Sequence, residues 1–343
     1  MRRLAVETLG REHAILALDE TSFLKRGQHS AGVAKPYCGT TGRVENCQLG
    51  VFLSWITQRG HTLIDRELYL PACWTDDPAR CRKAGIPASI AFRTKPEQAI
   101  QMLTRLYDQN LRPDWVVADT VYGGNPALRE WLEEQGQAYI GMVPGTEPIV
   151  LTLPDGSLRR IEVGELPALL PPQTSWTRLA ISLGPKGPRT FDWLCLPWHR
   201  GREDGQHFVL LRRFLDESKT TFALVFAPQP TSLTRLVEVT GCRWPIEEDF
   251  ENGKHIGMDQ YEVRQYRGWY RSLTLVLLIL AFLAFLQAHE NQALSLREMH
   301  HLLAHLLFVL PSGVSAVLAW SAWRNWHNKL AAAFHLRRRL KAG

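Results

Sequence analysis

The sequence predicts an α/β protein, with mixed α+β character, in which helices flank one mixed β-sheet. Short apolar runs, each with the length of a buried strand, end at polar residues in the first half of the chain. Segments with apolar residues at helical spacing lie between the later runs. The length of 343 residues is sufficient for one large domain or two ordinary ones with a substantial core.

The opening part of the chain predicts strands in antiparallel order. Residues 14–18 form an apolar run that ends at Asp19, and this pattern indicates a buried strand. Residues 30–57 contain two strand-like stretches around a glycine-flanked turn at 39–42, which is typical of a hairpin. A further strand is expected at 61–70, where polar and apolar residues alternate over the first half. The predicted order is therefore strand, hairpin, strand.

Helices and strands alternate in the next part of the chain. Apolar residues recur at helical spacing over 96–109, and Thr94 is a suitable residue to cap this helix. Residues 115–118 predict a buried strand that ends at Asp119. A second helix is expected at 126–135, because apolar and charged residues alternate there with helical periodicity and a glycine follows.

These patterns divide the chain into three regions. A strand at 139–143 ends the first region, residues 1–143. Residues 144–228 contain frequent Pro and Gly and several short strand candidates, which indicates a β-rich insertion. Residues 229–343 are expected to be helical, to complete the core and to end in a basic tail. The element order is that of an RNase H-like domain, whose mixed sheet has helices on both faces and whose insertion here precedes the last catalytic helix.

Three carboxylates are candidate metal ligands. Asp19 and Asp119 end two predicted strands, and Glu247 lies in a later helix, which are the positions that an RNase H-like fold uses. Two Mg²⁺ ions about 3.5–4 Å apart can serve both ends of an in-line phosphodiester displacement, and they prefer such oxygen ligands. The alternative is that each aspartate only ends a strand in a polar turn, while Glu247 belongs to a solvated acidic helix face.

Basic residues around Glu247 strengthen the first interpretation. Arg243, Glu247 and Lys254 have the spacing R-x3-E-x6-K, which places the first two on one helix face and Lys254 two turns beyond. Glu251 falls on the same face and is the second candidate for the helical ligand. A surface ladder of salt bridges has the same spacing, but it leaves the two strand-end aspartates unexplained.

Composition favours a polyanionic partner. The net charge is +6 and the pI is about 9.1, a balance that is compatible with nucleic acid without proving it. The six cysteines include no C-x2-C pair, which argues against a structural zinc site. The chain start has no signal pattern, and the apolar run 273–286 is shorter than the about 20 residues of a membrane span. We therefore expect a cytoplasmic protein without a membrane partner, and a helix at 273–286 buried within the core.

The chain resembles bacterial insertion-sequence transposases of the DDE superfamily, in the branch with the signature Y-x2-R-x3-E-x6-K. The arginine, glutamate and lysine of this signature fall on Arg243, Glu247 and Lys254, while Thr240 takes the tyrosine position. The resemblance covers nearly the whole chain. Four further sequence segments resemble those of one group of insertion-sequence transposases, at residues 18–27, 46–52, 65–71 and 118–124.

The resemblance implies a DNA transposase that cleaves transposon ends and transfers strands into target DNA. Asp19, Asp119 and Glu247 would be its catalytic residues and the ligands of two Mg²⁺ ions, for which Mn²⁺ can substitute. Its implied partners are double-stranded DNA, at the ends and the target, and a second copy in a homodimer on DNA. Its implied location is the bacterial cytoplasm, in association with the nucleoid. The expected DNA-contacting residues are Arg243, Lys254 and Thr240, followed by Lys25, Arg26, Arg264 and Arg267.

Two other functions stay open at this point. Relatives carry a helical DNA-end-binding domain before the first aspartate, whereas only 18 residues precede Asp19 here. The chain is therefore expected to lack that domain, and a catalytically inactive remnant that binds DNA is one alternative. A nuclease with the same fold but without strand transfer is the other, because both reactions use the same metal chemistry.

Several aromatic residues have two interpretations. Trp193 and Trp198 can stack on an extruded base, but core packing is favoured because tryptophan is usually buried. His13, His61 and His255 lie near acidic segments, and a structural or DNA-contacting role is favoured because a hard-metal site does not need imidazole.

Overall fold

The structure, a computed structural model, is described over residues 2–39, 41–152, 157–184, 187–200, 206–290, 295–307 and 314–340. The chain divides into two compact units, Met1–Gln292 and Ala293–Gly343. The second unit contains two helices, Leu296–Leu307 and Val314–Leu340. The end of the expected basic tail, residues 341–343, lies outside the described residues.

The strands are β1 (Ile15–Leu24), β2 (Tyr37–Cys38), β3 (Arg43–Val44), β4 (Cys47–Thr57), β5 (Gly60–Leu68), β6 (Trp115–Ala118), β7 (Tyr139–Val143), β8 (Pro148–Thr152), β9 (Leu158–Glu162), β10 (Thr177–Gly184), β11 (Gly187–Pro197), β12 (His207–Arg213) and β13 (Thr220–Phe226). The helices are α1 (Arg2–Leu9), α2 (Ala72–Thr75), α3 (Pro78–Lys83), α4 (Lys95–Tyr107), α5 (Thr120–Gly123), α6 (Pro126–Glu134), α7 (Leu166–Leu169), α8 (Leu233–Gly241), α9 (Pro245–His255), α10 (Tyr266–Glu290), α11 (Leu296–Leu307) and α12 (Val314–Leu340). A short 3₁₀ helix covers Val163–Glu165.

One large mixed sheet organises the first unit, with the strand order β10-β11-β12-β13-β7-β6-β1-β4-β5. β1 runs antiparallel to β4 and parallel to β6, and β6 runs parallel to β7. The predicted RNase H-like arrangement, a mixed sheet flanked by helices, is confirmed. Strands β10–β13, from the segment predicted as a β-rich insertion, continue the same sheet beyond β7. The division into regions at 143/144 and 228/229 stays a prediction.

The first half of β1, residues 15–18, is buried on both faces of the sheet, and this explains its continuous apolar sequence. Successive side chains of a strand point to opposite faces. Ile15 and Ala17 therefore enter a core shared with α8, α9 and α10, while Leu16 and Leu18 enter a core shared with α1, α4 and α6. A strand covered on both faces needs apolar residues at every position.

The position predicted for Asp19 at the end of its strand is wrong. β1 continues to Leu24, because β4 pairs with it over the whole length from Ile15 to Leu24. The parallel partner β6 pairs only through Leu18, opposite Ala118. Asp19 thus lies inside an antiparallel pair but immediately beyond the end of the parallel one. β6 and β7 coincide with the strands predicted at 115–118 and 139–143.

The apolar helix α10 is only partly buried, which corrects the expectation of a helix enclosed by the core. One side, including Leu277 and Leu280, is fully buried, whereas Leu275 and Phe282 on the other side are 57% and 44% exposed. The stretch Tyr266–His289 is long and apolar enough to cross a membrane by length and composition, with 39% of its most apolar window buried. A core helix of a soluble protein passes the same test, so this property alone does not indicate a membrane protein.

Trp193 packs in the core, as the sequence favoured. It is 1% exposed, and its Nε1 atom donates to the carbonyl oxygen of Leu179 at 3.2 Å. Trp198 is partly buried against a separate apolar cluster that includes Val209 and Leu211. Neither tryptophan lines the cavity described next.

Candidate active site

A cavity of about 860 Å³ opens where β1, β6 and α9 meet. Asp19, Asp119 and Glu247, which are far apart in the sequence, all line it. Arg243 and Lys254 line the same cavity. The structure therefore brings together the three predicted acidic residues and the two strongest predicted basic ones.

Asp19 is a mostly buried carboxylate in an electronegative environment. Its Oδ1 atom accepts a hydrogen bond of 2.7 Å from the backbone N–H of Glu20, and its Oδ2 atom lies 3.6 Å from Arg243 Nη1. Burial and, next, the negative charge of Asp119 raise the pKa of Asp19 to about 7, and the contacts with Glu20 N–H and Arg243 only partly oppose this. The charged form would be stabilised by a cation.

Asp119 connects β6 to the short helix α5. Its Oδ1 atom accepts from the backbone N–H groups of Val121 at 3.0 Å and Tyr122 at 3.4 Å, so the capping role considered for this residue is real. Burial and the charge of Glu20 nevertheless raise its pKa. A cap that stabilised only the helix would lower the pKa, so its surroundings indicate a second role.

A close approach of two glycines positions α5 and hence Asp119. A Cβ atom on Gly123 would lie 2.3 Å from the carbonyl oxygen of Met142, and one on Gly141 would lie 2.7 Å from the Cα atom of Gly123. The glycine after the aspartate thus allows contact between α5 and β7.

Arg243 links two of the three acidic residues. Its Nη2 atom lies 2.6 Å from Glu247 Oε1, and its Nη1 atom lies 3.6 Å from Asp19 Oδ2. The residue precedes α9, which begins at Pro245. The predicted contact between Arg243 and Glu247 is therefore present, although only Glu247 lies within the helix.

Sequence reasoning missed the partners of Glu20, a fourth carboxylate in the cavity. Lys95 forms an ion pair with Glu20 Oε1, and the hydroxyl of Tyr122 donates to Glu20 Oε2 at 2.6 Å. Lys95 follows Thr94, which caps α4 with Glu97 as a capping box. The predicted cap was the available signal, since it places Lys95 in the first turn of a helix that starts at the cavity.

The other predicted DNA-contacting residues lie elsewhere. Thr240 does not line the cavity: it is buried, and its hydroxyl donates to the carbonyl oxygen of Leu236 at 2.7 Å. Lys25 donates to the carbonyl oxygen of Tyr261. Two chain segments in contact with each other carry the four weaker candidates, namely Lys25, Arg26, Arg264 and Arg267.

The donor atoms of the cavity suit a hard divalent cation, but they are not assembled around one point. Among the residues that the structure describes, no three histidine, cysteine or carboxylate side chains lie close enough to hold one ion. Carboxylate oxygens are the ligands that Mg²⁺ prefers, and the raised pKa values of Asp19 and Asp119 indicate missing positive charge. Arg243 lies between Asp19 and Glu247, where its guanidinium supplies part of that charge.

Two histidines considered as possible ligands lie against other carboxylates. His13 pairs with Asp114 at 3.3 Å on the surface, and His61 contacts Glu248 and Asp249 of α9. Neither histidine lines the cavity, in agreement with the structural role that the sequence favoured.

Comparison with known proteins supports an endonuclease assignment. No curated protein matches the chain. Among solved structures, the chain is similar to the cryo-EM synaptic complex of piggyBac transposase with hairpin DNA, with a TM-score of 0.46 and 11% sequence identity. The similarity covers 88% of this chain and 53% of that one, so the chain spans about half the length of that transposase. The sequence model of the DDE superfamily endonucleases matches residues 1–194, which include Asp19 and Asp119. The chain belongs to the DDE superfamily endonucleases.

Proposed function

We propose that this protein is a DNA transposase of the bacterial insertion-sequence type, in the branch with the Y-R-E-K signature. It would cleave transposon ends and transfer the freed strands into target DNA. The observation that carries the proposal is the shared cavity of Asp19, Asp119 and Glu247, with Arg243 and Lys254 at its edge. Acidic residues suit metal-dependent phosphodiester chemistry, and the basic residues suit a phosphate backbone.

The three acidic residues would hold two Mg²⁺ ions, with Mn²⁺ as a substitute. Bound ions of this kind activate the attacking oxygen and stabilise the leaving oxygen of an in-line displacement. Asp19 and Asp119 are well suited to hold cations because both are partly buried and carry raised pKa values. Lys254, which lines the same cavity, would hold a DNA phosphate in register with them.

Arg243 would have two partners in succession. In the free protein it pairs with Asp19 and Glu247, and these contacts keep Glu247 from joining a metal cluster. A DNA phosphate attracts a guanidinium strongly, because it offers two oxygens to the guanidinium fork. We infer that DNA withdraws Arg243 from the acidic residues, so that the metal site is completed only when substrate is present.

The remaining features of the proposal follow from the sequence resemblance. Two transposon ends have to be brought together, so we propose a homodimer on double-stranded DNA. A protein of this kind would act in the bacterial cytoplasm in association with the nucleoid. A nuclease without strand transfer is the second candidate, since the family match is to an endonuclease and hydrolysis uses the same site.

The test is a Mg²⁺-dependent cleavage and strand-transfer assay on DNA that carries the element's own ends. Asp119→Asn is expected to lower the cleavage rate at least about 10³-fold and to leave DNA binding intact, because the charge that holds the metal is lost. Asp114→Asn is the matched control, since Asp114 is an exposed aspartate that directly precedes the same strand and pairs with His13. Retained cleavage by Asp119→Asn would contradict the assignment of this site.

The products distinguish the candidates. Joined products made by the wild type support a transposase, and cleaved but unjoined ends support the nuclease without strand transfer. DNA binding without cleavage in Mg²⁺ or Mn²⁺ supports a catalytically inactive remnant.

A further inference from the structure

His61 contacts the helix that carries Glu247, on the side away from the cavity. Its Nδ1 atom lies 2.9 Å from Asp249 Oδ1, and its Nε2 atom lies 3.4 Å from Glu248 Oε2. Ser54 donates from its hydroxyl to the other oxygen of Asp249 at 2.5 Å. Both carboxylate oxygens of Asp249 are therefore bonded to residues of two neighbouring strands, β4 and β5.

Asp249 is fully buried, with 0% of its surface exposed. A buried carboxylate is tolerated when it is paired and hydrogen-bonded, and it becomes strongly unfavourable when one partner is removed. Burial alone would lower the pKa of His61, but the charge and hydrogen bond of Asp249, followed by those of Glu248, raise it to about 10. The contacts thus favour the protonated imidazole, whose two ring N–H groups can donate to Asp249 and Glu248.

The helix geometry connects this contact to the cavity. Residues two positions apart in an α-helix differ in direction by about 200°, since one turn takes 3.6 residues. Glu247 and Asp249 therefore point to nearly opposite sides of α9, one into the cavity and the other into the sheet. The residue at the helix start is Trp244, whose indole has no acceptor for the first backbone N–H groups. Asp249 thus joins the buried side chains of Ile246 and Phe250 in fixing this part of the helix against the sheet.

We propose that His61 is a positioning residue for Glu247: by holding Asp249 and Glu248 it sets the rotation of α9 that presents Glu247 to the cavity. This inference rests on the proposed function, because it takes Glu247 as a metal ligand. His61 itself touches neither substrate nor metal. The contact also stabilises the fold, because Asp249 is buried, so the test needs a readout that a loss of stability alone would not change.

The test is a double-mutant cycle between His61 and Glu247 that measures Mn²⁺ affinity of the full-length protein with saturating end DNA, by electron paramagnetic resonance. His61→Gln is expected to weaken Mn²⁺ binding roughly 10- to 100-fold, the range found when a residue that orients a ligand is removed. Glu247→Gln is expected to weaken it as well, and the double variant should be no weaker than Glu247→Gln alone. Such non-additivity is the mark of residues that act through one another.

Two controls separate positioning from a general loss of structure. His13→Gln removes a histidine–aspartate contact on the surface, between the segments that precede β1 and β6, and should leave Mn²⁺ affinity unchanged. The pair His61→Gln with Asp249→Asn replaces the buried charges by two amides that can still bond to each other. This pair is expected to recover most of the affinity lost in His61→Gln, which shows that the contact rather than the imidazole is needed.

Each outcome decides the inference. The inference is wrong if His61→Gln leaves Mn²⁺ affinity unchanged. It is also wrong if the loss of Mn²⁺ affinity in the double variant equals the product of the losses in His61→Gln and Glu247→Gln. If Glu247→Gln changes neither Mn²⁺ affinity nor cleavage, the proposed site itself is wrong and the positioning role is rejected with it. The first two results leave the proposed function intact, so the two failures are distinguishable.

Discussion

Two groups of buried or partly buried carboxylates lie on or next to the same sheet and differ in how their charge is balanced. In one group, Asp65 of β5 is 1% exposed and bonds to Arg2 at 2.7 Å and to Arg105 at 2.6 Å. Glu67 of the same strand pairs with Arg105 and accepts from the hydroxyl of Tyr270 at 2.6 Å. Burial alone would lower the pKa of Arg105, but the two carboxylates raise it.

The cavity group has fewer compensating contacts. Arg243 lies 3.6 Å from Asp19, and Lys95 pairs with Glu20 rather than with either aspartate. Burial raises the pKa values of Asp19 and Asp119, the neighbouring carboxylates raise them further, and Arg243 opposes this only in part. Carboxylates whose charge is fully balanced by arginines therefore stabilise the fold, whereas carboxylates without that balance indicate a site where a cation or substrate binds.

The largest effect is expected for Asp65→Asn, which tests whether the first group of carboxylates stabilises the fold. The change leaves Arg2 and Arg105 facing a neutral group, and we expect the free energy of unfolding at pH 7 to fall by roughly 3 kcal/mol, somewhat less if solvent screens the partly exposed Arg105. Urea unfolding measures this. Glu7→Gln, which breaks the exposed pair with Arg3, is the control and should have no measurable effect. If Asp65→Asn lowers the free energy of unfolding no more than Glu7→Gln does, the contacts of Asp65 with Arg2 and Arg105 do not stabilise the fold.

The second variant, Asp19→Asn, is expected to raise the free energy of unfolding instead of lowering it. The pKa of Asp19 rises from 3.8 to about 7 in the folded state, so its contribution to stability is favourable below about pH 4 and is lost as the pH rises through 7. Asp19→Asn removes the charge and should therefore stabilise the metal-free protein at pH 8, by roughly 2 kcal/mol. Urea unfolding in EDTA at pH 8 and pH 4 should show the gain only at the higher pH. Destabilisation at pH 8 would contradict the comparison.

Arg243→Gln tests whether the arginine that contacts both Asp19 and Glu247 competes with a metal ion for them. Removing the guanidinium frees Glu247 and Asp19, so Mn²⁺ affinity of the DNA-free protein should rise by a few-fold, a modest effect because the pair is partly exposed. DNA affinity should fall in the same variant, since a phosphate contact is lost. Arg235→Gln, on the surface of α8, should change neither quantity. Weaker Mn²⁺ binding in Arg243→Gln would show that the arginine supports the metal site instead of competing for it.

Lys254→Ala has the smallest expected effect. A phosphate contact contributes about one unit to the slope of log binding constant against log salt concentration, and this slope should decrease accordingly. Fluorescence anisotropy over a salt series measures it. Lys219→Ala, an exposed lysine between β12 and β13, is the control and should preserve the slope. An unchanged slope in Lys254→Ala would remove Lys254 from the phosphate contacts.

Local patterns predicted much of the fold. The strands at 115–118 and 139–143 were predicted to the residue, because apolar runs bounded by turn residues define their ends. The end of β1 was missed, since pairing with β4 continues through polar residues that the apolar pattern excludes. The burial of α10 was overestimated, because its composition is apolar all round while only one side meets the sheet.

The sequence predicted the acidic residues that line the cavity, but it did not predict which residues contact the carboxylates in and around it. Asp19 and Asp119 follow apolar runs, and Glu247 belongs to a recognisable spacing, so each is visible in the sequence. Lys95 beside Glu20 and His61 beside Asp249 are separated from their partners by 75 and 188 residues. No periodicity or motif connects residues so far apart.

Local sequence patterns were sufficient to predict most of the strands and helices, and the acidic and basic residues that are candidates for phosphodiester chemistry. Which charged residues contact one another depends on the tertiary fold. Arg243 lies between Asp19 and Glu247, and Asp249 is turned towards His61 and Ser54. The physical reason is that local structure depends on neighbouring residues, whereas the balance of a buried charge depends on strand register and helix rotation, which only packing sets.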